Sequence, residues 1–132
     1  MAEMLVTFPG GARVDAQYGQ FVICTDQSPQ EGGEGTAPSP FELFLASLAT
    51  CAGVYVSGFC RQRGLPLEGV RIIQRWERDS ASGLIRTIAL DIHVPSDFPE
   101  KYRPALIRAA GQCAVKKALE SPPTIAVQTI LD

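Results

Sequence analysis

The spacing of apolar and polar positions divides the chain into strand-like, loop-like and helix-like segments. Residues 5–8, 12–18 and 20–26 read as short strands, with Pro9-Gly10-Gly11 and Tyr18-Gly19 supplying the turns. Residues 26–39 combine glycine, proline and acidic residues with almost nothing to bury, which predicts a mobile surface loop rather than a domain linker. Ser39-Pro40-Phe41-Glu42 then sets serine at an N-cap, proline at the first helical position and glutamate at the third. This capping-box pattern opens a helix predicted to run to about Arg63, where Gly64 offers a stop and Pro66 a break.

From Leu43 to Cys60 that helix carries no charge over 18 residues, the lower limit for crossing a bilayer. Ser47, Thr50, Gly53, Ser57 and Gly58 interrupt its apolar character, and strand-rich segments on both sides have apolar faces that need covering. The pattern therefore predicts a buried helix and no membrane span, with a sheet or a partner subunit as its cover.

Residues 70–78 and 85–94 follow as two longer strands joined by a loop at 79–83. The second alternates cleanly, with Ile88, Leu90, Ile92 and Val94 on one face and Thr87, Ala89, Asp91 and His93 on the other. Residues 99–110 predict a helix that Pro104 either disturbs or begins, residues 114–120 a shorter one, and residues 125–131 a last alternating strand. Strands, helix, strands, helices and strand in that order imply one α+β domain over residues 1–132 with a mainly antiparallel sheet.

Composition narrows the function classes. The chain is 45% hydrophobic and 20% charged with a net charge of −2, which suits an ordinary globular protein. No basic cluster predicts a nucleic-acid partner, since Arg61 and Arg63 fall where they face a helix C-terminal dipole. The first residues lack a basic n-region, an apolar h-region and a cleavage site, so a reducing, cytoplasmic compartment is expected. Cysteines at 24, 51, 60 and 113 form no CxxC pair, and His93 is the single histidine, so a closed zinc site is not expected. His93 reads as a solvent-facing strand residue, which leaves Ser-His and Cys-His hydrolase mechanisms without a base.

The four cysteines have different settings. Cys24, within Phe21-Val22-Ile23-Cys24, reads as core. Cys60 lies nine residues after Cys51, half a turn away at about 100° per residue, so the two occupy opposite helix faces. Cys113 immediately precedes a short helix whose amides can stabilise a thiolate, with Lys116 and Lys117 adding charge. Cys51 is mid-helix, so its activation needs a tertiary neighbour such as an arginine. Moving an ordinary thiol from about 8.5 to about 7 takes about 2 kcal/mol. Ala49, Ala52 and Gly53 leave space beside Cys51 for a substrate or a second cysteine. On these grounds alone Cys51 is open to two readings, nucleophile and core filler.

Two longer motifs bear on that choice. Ala37-Pro38-Ser39-Pro40-Phe41-Glu42-Leu43 with Leu45-Ala46-Ser47-Leu48-Ala49-Thr50-Cys51 resembles the central-helix motif of the OsmC/Ohr family. Ala109-Ala110-Gly111-Gln112-Cys113-Ala114-Val115, then Ala118-Leu119, resembles its second cysteine motif, with alanine at 114 where the family usually has proline. The resemblance implies an intertwined homodimer whose sheets wrap paired central helices, with sites at the interface. It implies a thiol peroxidase that reduces organic hydroperoxides without metal or organic cofactor. Cys51 would be the peroxidatic thiolate, Cys113 its resolving partner in a disulfide, and a dithiol reductant would regenerate the pair. The Ohr branch places a glutamate ten residues before the first cysteine; Phe41 stands there, and Glu42, nine before, is the candidate carboxylate. Arg13 is the arginine that the early strands offer. Two other readings of the same fold are a non-enzymatic protein binding a small hydrophobic or electrophilic ligand, and a thiol redox sensor.

Overall fold

The computed structural model describes residues 1–132, which fall into two compact units, Met1–Ala46 and Ser47–Asp132. In the first unit, β1 (Leu5–Gly10), β2 (Arg13–Tyr18) and β3 (Phe21–Thr25) form an antiparallel meander in that order. Tyr18 pairs with Phe21, so Gly19-Gln20 is a two-residue turn, and Gly19 takes a φ of 58° that favours glycine. The reading of Cys24 as core is corrected here. Phe21, Val22, Ile23 and Cys24 are all exposed, and only Thr25 of β3 is buried. The apolar run reads like a strand covered on both faces, but three short strands have too few side chains to cover either face.

The segment read as a mobile loop is drawn in around a buried carboxylate. Asp26 is 1% exposed and accepts hydrogen bonds from the Gln27 amide at 2.7 Å, the Thr36 amide at 3.0 Å and the Thr36 hydroxyl at 2.6 Å. Gly33 passes so close that a Cβ there would lie 2.1 Å from the Gln27 carbonyl oxygen and 2.7 Å from Asp26 Oδ1. Only glycine fits that crossing.

α1 (Pro40–Gln62) starts and stops where the sequence places its signals. The Ser39 amide donates to Glu42 Oε1 at 3.1 Å and the Glu42 amide to Ser39 Oγ at 3.2 Å, a reciprocal capping box. At the other end Gly64 adopts a φ of 65°, and the Leu65 amide reaches back to the Cys60 carbonyl at 2.9 Å. By length and hydropathy the helix could cross a membrane, yet its Ala52, Val56, Phe59 and Cys60 positions are packed inside the second unit.

That unit holds β4 (Arg71–Arg78) and β5 (Ile85–His93), an antiparallel pair in which Ile72 faces Ile92 and Trp76 faces Ile88. Asp79 closes the hairpin loop by accepting from the Ala81 amide and the Ser82 hydroxyl, both at 3.0 Å. A single 3-10 turn at Glu100–Tyr102 leads into α2 (Arg103–Ala110), with Pro104 in its first turn, and α3 (Ala114–Glu120) follows. Val56, Phe59, Cys60, Phe98 and Leu106 form the core, and Ile72 and Ile92 of the hairpin pack on it. Burying a side chain such as Leu106 contributes about 2 kcal/mol.

The strand predicted at 125–131 does not form. Residues 121–132 have no regular structure, and Ile125, Val127, Ile130 and Leu131 are almost fully exposed. Alternation encodes a strand's two faces but not its neighbour, and here β4 and β5 pair only with each other.

The Asp26 contacts give the loop a pH dependence. Bonds from the Thr36 hydroxyl and amide and the Gln27 amide lower its pKa from 3.8 to about 2. A depressed folded-state value means stabilisation that is complete above the ordinary value and lost as pH falls through the lower one. Asp26→Asn should therefore speed proteolysis at residues 27–36 relative to wild type at neutral pH. Hydrogen exchange should show that difference closing between about pH 4 and pH 2.

Candidate active site

Two elements of the second unit bring Cys51 and Cys113 together. The first-turn amides of any helix lack intrahelical acceptors, and α3 points its own at sulfur. Cys113 is the N-cap of α3 and accepts from the Lys116 amide at 3.5 Å. Its thiol is 1% exposed and has the Leu48 carbonyl of α1 at 3.9 Å as an acceptor. Cys51, on the same helix as Leu48 and partly exposed, has the Val115 and Ala114 amides and the Cys113 thiol as its polar neighbours. All four cysteines are free thiols.

These contacts divide the two thiols. The Val115 amide, with the Cys113 thiol and the Ala114 amide, lowers the Cys51 pKa against the opposing effect of burial. Burial raises that of Cys113, and its hydrogen bond to Cys51 adds to the rise. The sequence suggests that α3 serves the cysteine at its own N-cap. The Lys116 amide does so, and the same turn also points the Val115 and Ala114 amides toward the cysteine of the neighbouring helix.

The space beside Cys51 also differs from the sequence expectation. Ala52 is small because it is packed, at 1% exposure, and a Cβ on Gly53 would meet Ile72 Cδ1 at an ordinary 3.9 Å. A cavity of about 760 Å³ lies on the Leu48 and Ala52 face of α1 and is bounded otherwise by β5, by Ile107 of α2, by Gly111 after it, and by Lys116 and Leu119 of α3; neither Cys51 nor Cys113 lines it. His93 lines it and is half-buried, which corrects its placement as a solvent-facing residue.

The remaining site candidates have other partners. Glu42 is held in the capping box, where the Ser39 amide and hydroxyl keep its carboxyl below the usual range. Nine residues along one helix also puts it half a turn from Cys51. Arg13 pairs with Asp15 of its own strand at 3.4 Å. Both belong to the first unit. Cys60 is fully buried in the core, and burial raises its pKa.

The sequence contains no direct sign of Leu48 as a thiol acceptor or of Val115 as a donor, because both act through the backbone. Alanine at 114 keeps an amide that proline would lack. Ala114→Pro should leave α3 intact, since proline suits a first helical position, and should move the alkylation midpoint of Cys51 to higher pH. An unchanged midpoint in a folded variant would remove the Ala114 amide as a cause.

Comparison with known proteins places this arrangement. The profile of the OsmC-like protein family matches residues 33–128. A Psychrobacter arcticus protein named for osmotic stress and detoxification superposes with a TM-score of 0.74 at 23% identity, over 89% of this chain and 88% of that one. An organic hydroperoxide resistance protein OsmC from Legionella pneumophila does so at 0.57 and 18%, over 90% of each chain. The organic hydroperoxide resistance protein OhrB of Bacillus subtilis gives 0.53 and 18%, over 91% and 92%. Among curated proteins no sequence matches. With antiparallel sheets and helices in the family's arrangement and a profile match over most of its length, this chain belongs to the OsmC-like protein family.

Proposed function

We propose that the protein is a thiol peroxidase for organic hydroperoxides, acting in oxidative-stress defence in a reducing cytoplasm. The observation that carries this reading is the unequal cysteine pair, with Cys51 held toward thiolate by the α3 amides and Cys113 held protonated beside it. The Cys51 thiolate attacks the terminal oxygen of the hydroperoxide and the O–O bond breaks. The electron pair leaves on the alkoxy oxygen, which takes a proton to become the alcohol, and Cys51 becomes a sulfenic acid. Cys113 then attacks the Cys51 sulfur; the S–O bond breaks, and hydroxide leaves as water with the Cys113 proton. A dithiol reductant reopens the Cys51–Cys113 disulfide and is itself oxidised.

The working form in this reading is a homodimer. Phe8, Phe21 and Val22 of the first unit, Val54 of α1 and the unpaired 125–131 segment leave large apolar side chains in solvent. A second copy is the natural cover for faces of that extent, rather than a bilayer. The neighbours named for hydroperoxide resistance, from Legionella pneumophila and Bacillus subtilis, support the chemistry at the level of the family.

A second reading, a non-catalytic protein that binds a small hydrophobic or electrophilic ligand, is favoured by the size of the cavity between α1 and β5. Cumene hydroperoxide separates the two. With dithiothreitol as reductant, the peroxidase should oxidise one cysteine pair per chain, mapped as Cys51–Cys113. Cys51→Ser should lose turnover by at least about 100-fold, whereas Cys113→Ser should stall as a sulfenic acid that dimedone traps. Full turnover by Cys51→Ser would end the peroxidase reading, and ligand retention without peroxide consumption would establish the second.

A further inference from the structure

Cys113 serves the site and the fold with one sulfur. It stands beside Cys51 as the second thiol, and as the N-cap of α3 it accepts from the Lys116 amide at 3.5 Å. Its S–H donates in turn to the Leu48 carbonyl of α1 at 3.9 Å, in a residue only 1% exposed. The Val115 and Ala114 amides of the same turn have Cys51 as their polar neighbour. The opening turn of α3 therefore meets the rest of its unit through sulfur.

Little else holds this helix. Of its seven residues, Val115 is half-buried and the others are exposed. Its side-chain contacts are local: Lys117 Nζ donates to Gln112 Oε1 at 2.9 Å, and Lys116 pairs with Glu120 at 3.7 Å. Residues 121–132 beyond it have no regular structure that could hold it from the other end. A helix this short does not persist in water without a cap and a docking contact.

Oxidation of the pair removes those contacts at their source. Each thiol gives up its hydrogen and one electron as the S–S bond forms, so Cys113 has no S–H left for the Leu48 carbonyl. Cys51 can no longer carry the negative charge that neighbouring amides favour, and a neutral disulfide sulfur is a weak acceptor. The new bond also draws the Cys113 sulfur toward Cys51 and off the Lys116 amide.

We propose that α3 is a redox-sensitive latch, docked while Cys51 and Cys113 are thiols and released over residues 114–120 when the two form a disulfide. The inference deepens the proposed function and rests on its disulfide: release of α3 uncovers the buried Cys113 sulfur to the dithiol reductant. Any oxidant that forms the bond works the latch, so hydroperoxide turnover is not required for it.

Hydrogen exchange of the intact protein reads the latch directly. Diamide, which takes up the two thiol hydrogens, prepares the oxidised form without peroxide, and a phosphine keeps a second sample reduced. Backbone exchange across residues 114–120 should be at least about fivefold faster in the oxidised protein, with α2 unchanged in the same spectra. Cys113→Ala removes the cap without oxidation and should exchange at the oxidised rate even in phosphine. Cys113→Ser supplies a hydroxyl cap, cannot form the bond, and should stay slow in diamide. Cys51→Ser should also stay slow there, which separates the pair from oxidation of the exposed Cys24. Equal exchange in reduced and oxidised wild type overturns the inference. So does slow exchange in Cys113→Ala with α2 intact, or the failure of diamide to form a Cys51–Cys113 disulfide. Faster exchange without hydroperoxide turnover leaves the latch standing and removes the peroxidase reading instead, whereas turnover with α3 slow in both states does the reverse.

Discussion

The cysteine pair depends on a few backbone amides that the helical ladder cannot satisfy. The first turn of α3 has free N–H groups, and each one given a role here points to a sulfur: Lys116 to Cys113, Val115 and Ala114 to Cys51. Backbone donors need no side-chain ordering and carry no counter-ion, so they can bias a thiol toward thiolate inside a partly buried site. The same geometry disfavours ionisation of both cysteines together. Cys113 is buried, has the Leu48 carbonyl as its acceptor, and meets the negative charge that develops on Cys51. One thiol is poised and the other is kept in reserve, a division of labour suited to two-step sulfur chemistry.

Packing in the second unit maintains that geometry. Ala52 adjoins Cys51 and is almost fully buried, so α1 lies close to what covers it, and a larger residue there would push it away. Phe59 and Cys60 anchor the far end of α1 in the core with Leu106 of α2, and α3 follows α2 after only a three-residue connection. The Arg63 guanidinium lies 3.6 Å over the Phe59 ring and donates to the Phe59 carbonyl, so the helix end is held as well. The cysteine pair is thus positioned by helices whose own ends are pinned, not by a loop.

Much of the fold was legible because its signals are local. Ser39 and Glu42 wrote the capping box, Gly64 the stop of α1, and the clean alternation of Ile88, Leu90 and Ile92 the strand β5. The failures share a physical cause, since each depended on a neighbour that sequence does not specify. Cys24 looked like core because its run is apolar, but whether such a run is covered depends on a second layer. Residues 125–131 have a strand's pattern and lack a strand beside them. The pairing of Cys51 with Cys113 was suggested by the paired motifs; the donors that set their difference were invisible, because an amide has no letter in the sequence. Loop 26–39 looked loose for a related reason, as one buried carboxylate and one forced glycine organise a composition that otherwise reads as disorder.

The site rests on an ordering of thiol acidity produced by backbone geometry. Competitive alkylation with iodoacetamide across pH, with each cysteine quantified by peptide mass spectrometry in the reduced protein, tests it most directly. Cys51 should be modified at the lowest pH, while Cys113 and Cys60, both raised by burial, should resist until pH is well above that point. Modification of Cys113 before Cys51, or of the two at the same pH, would contradict the account.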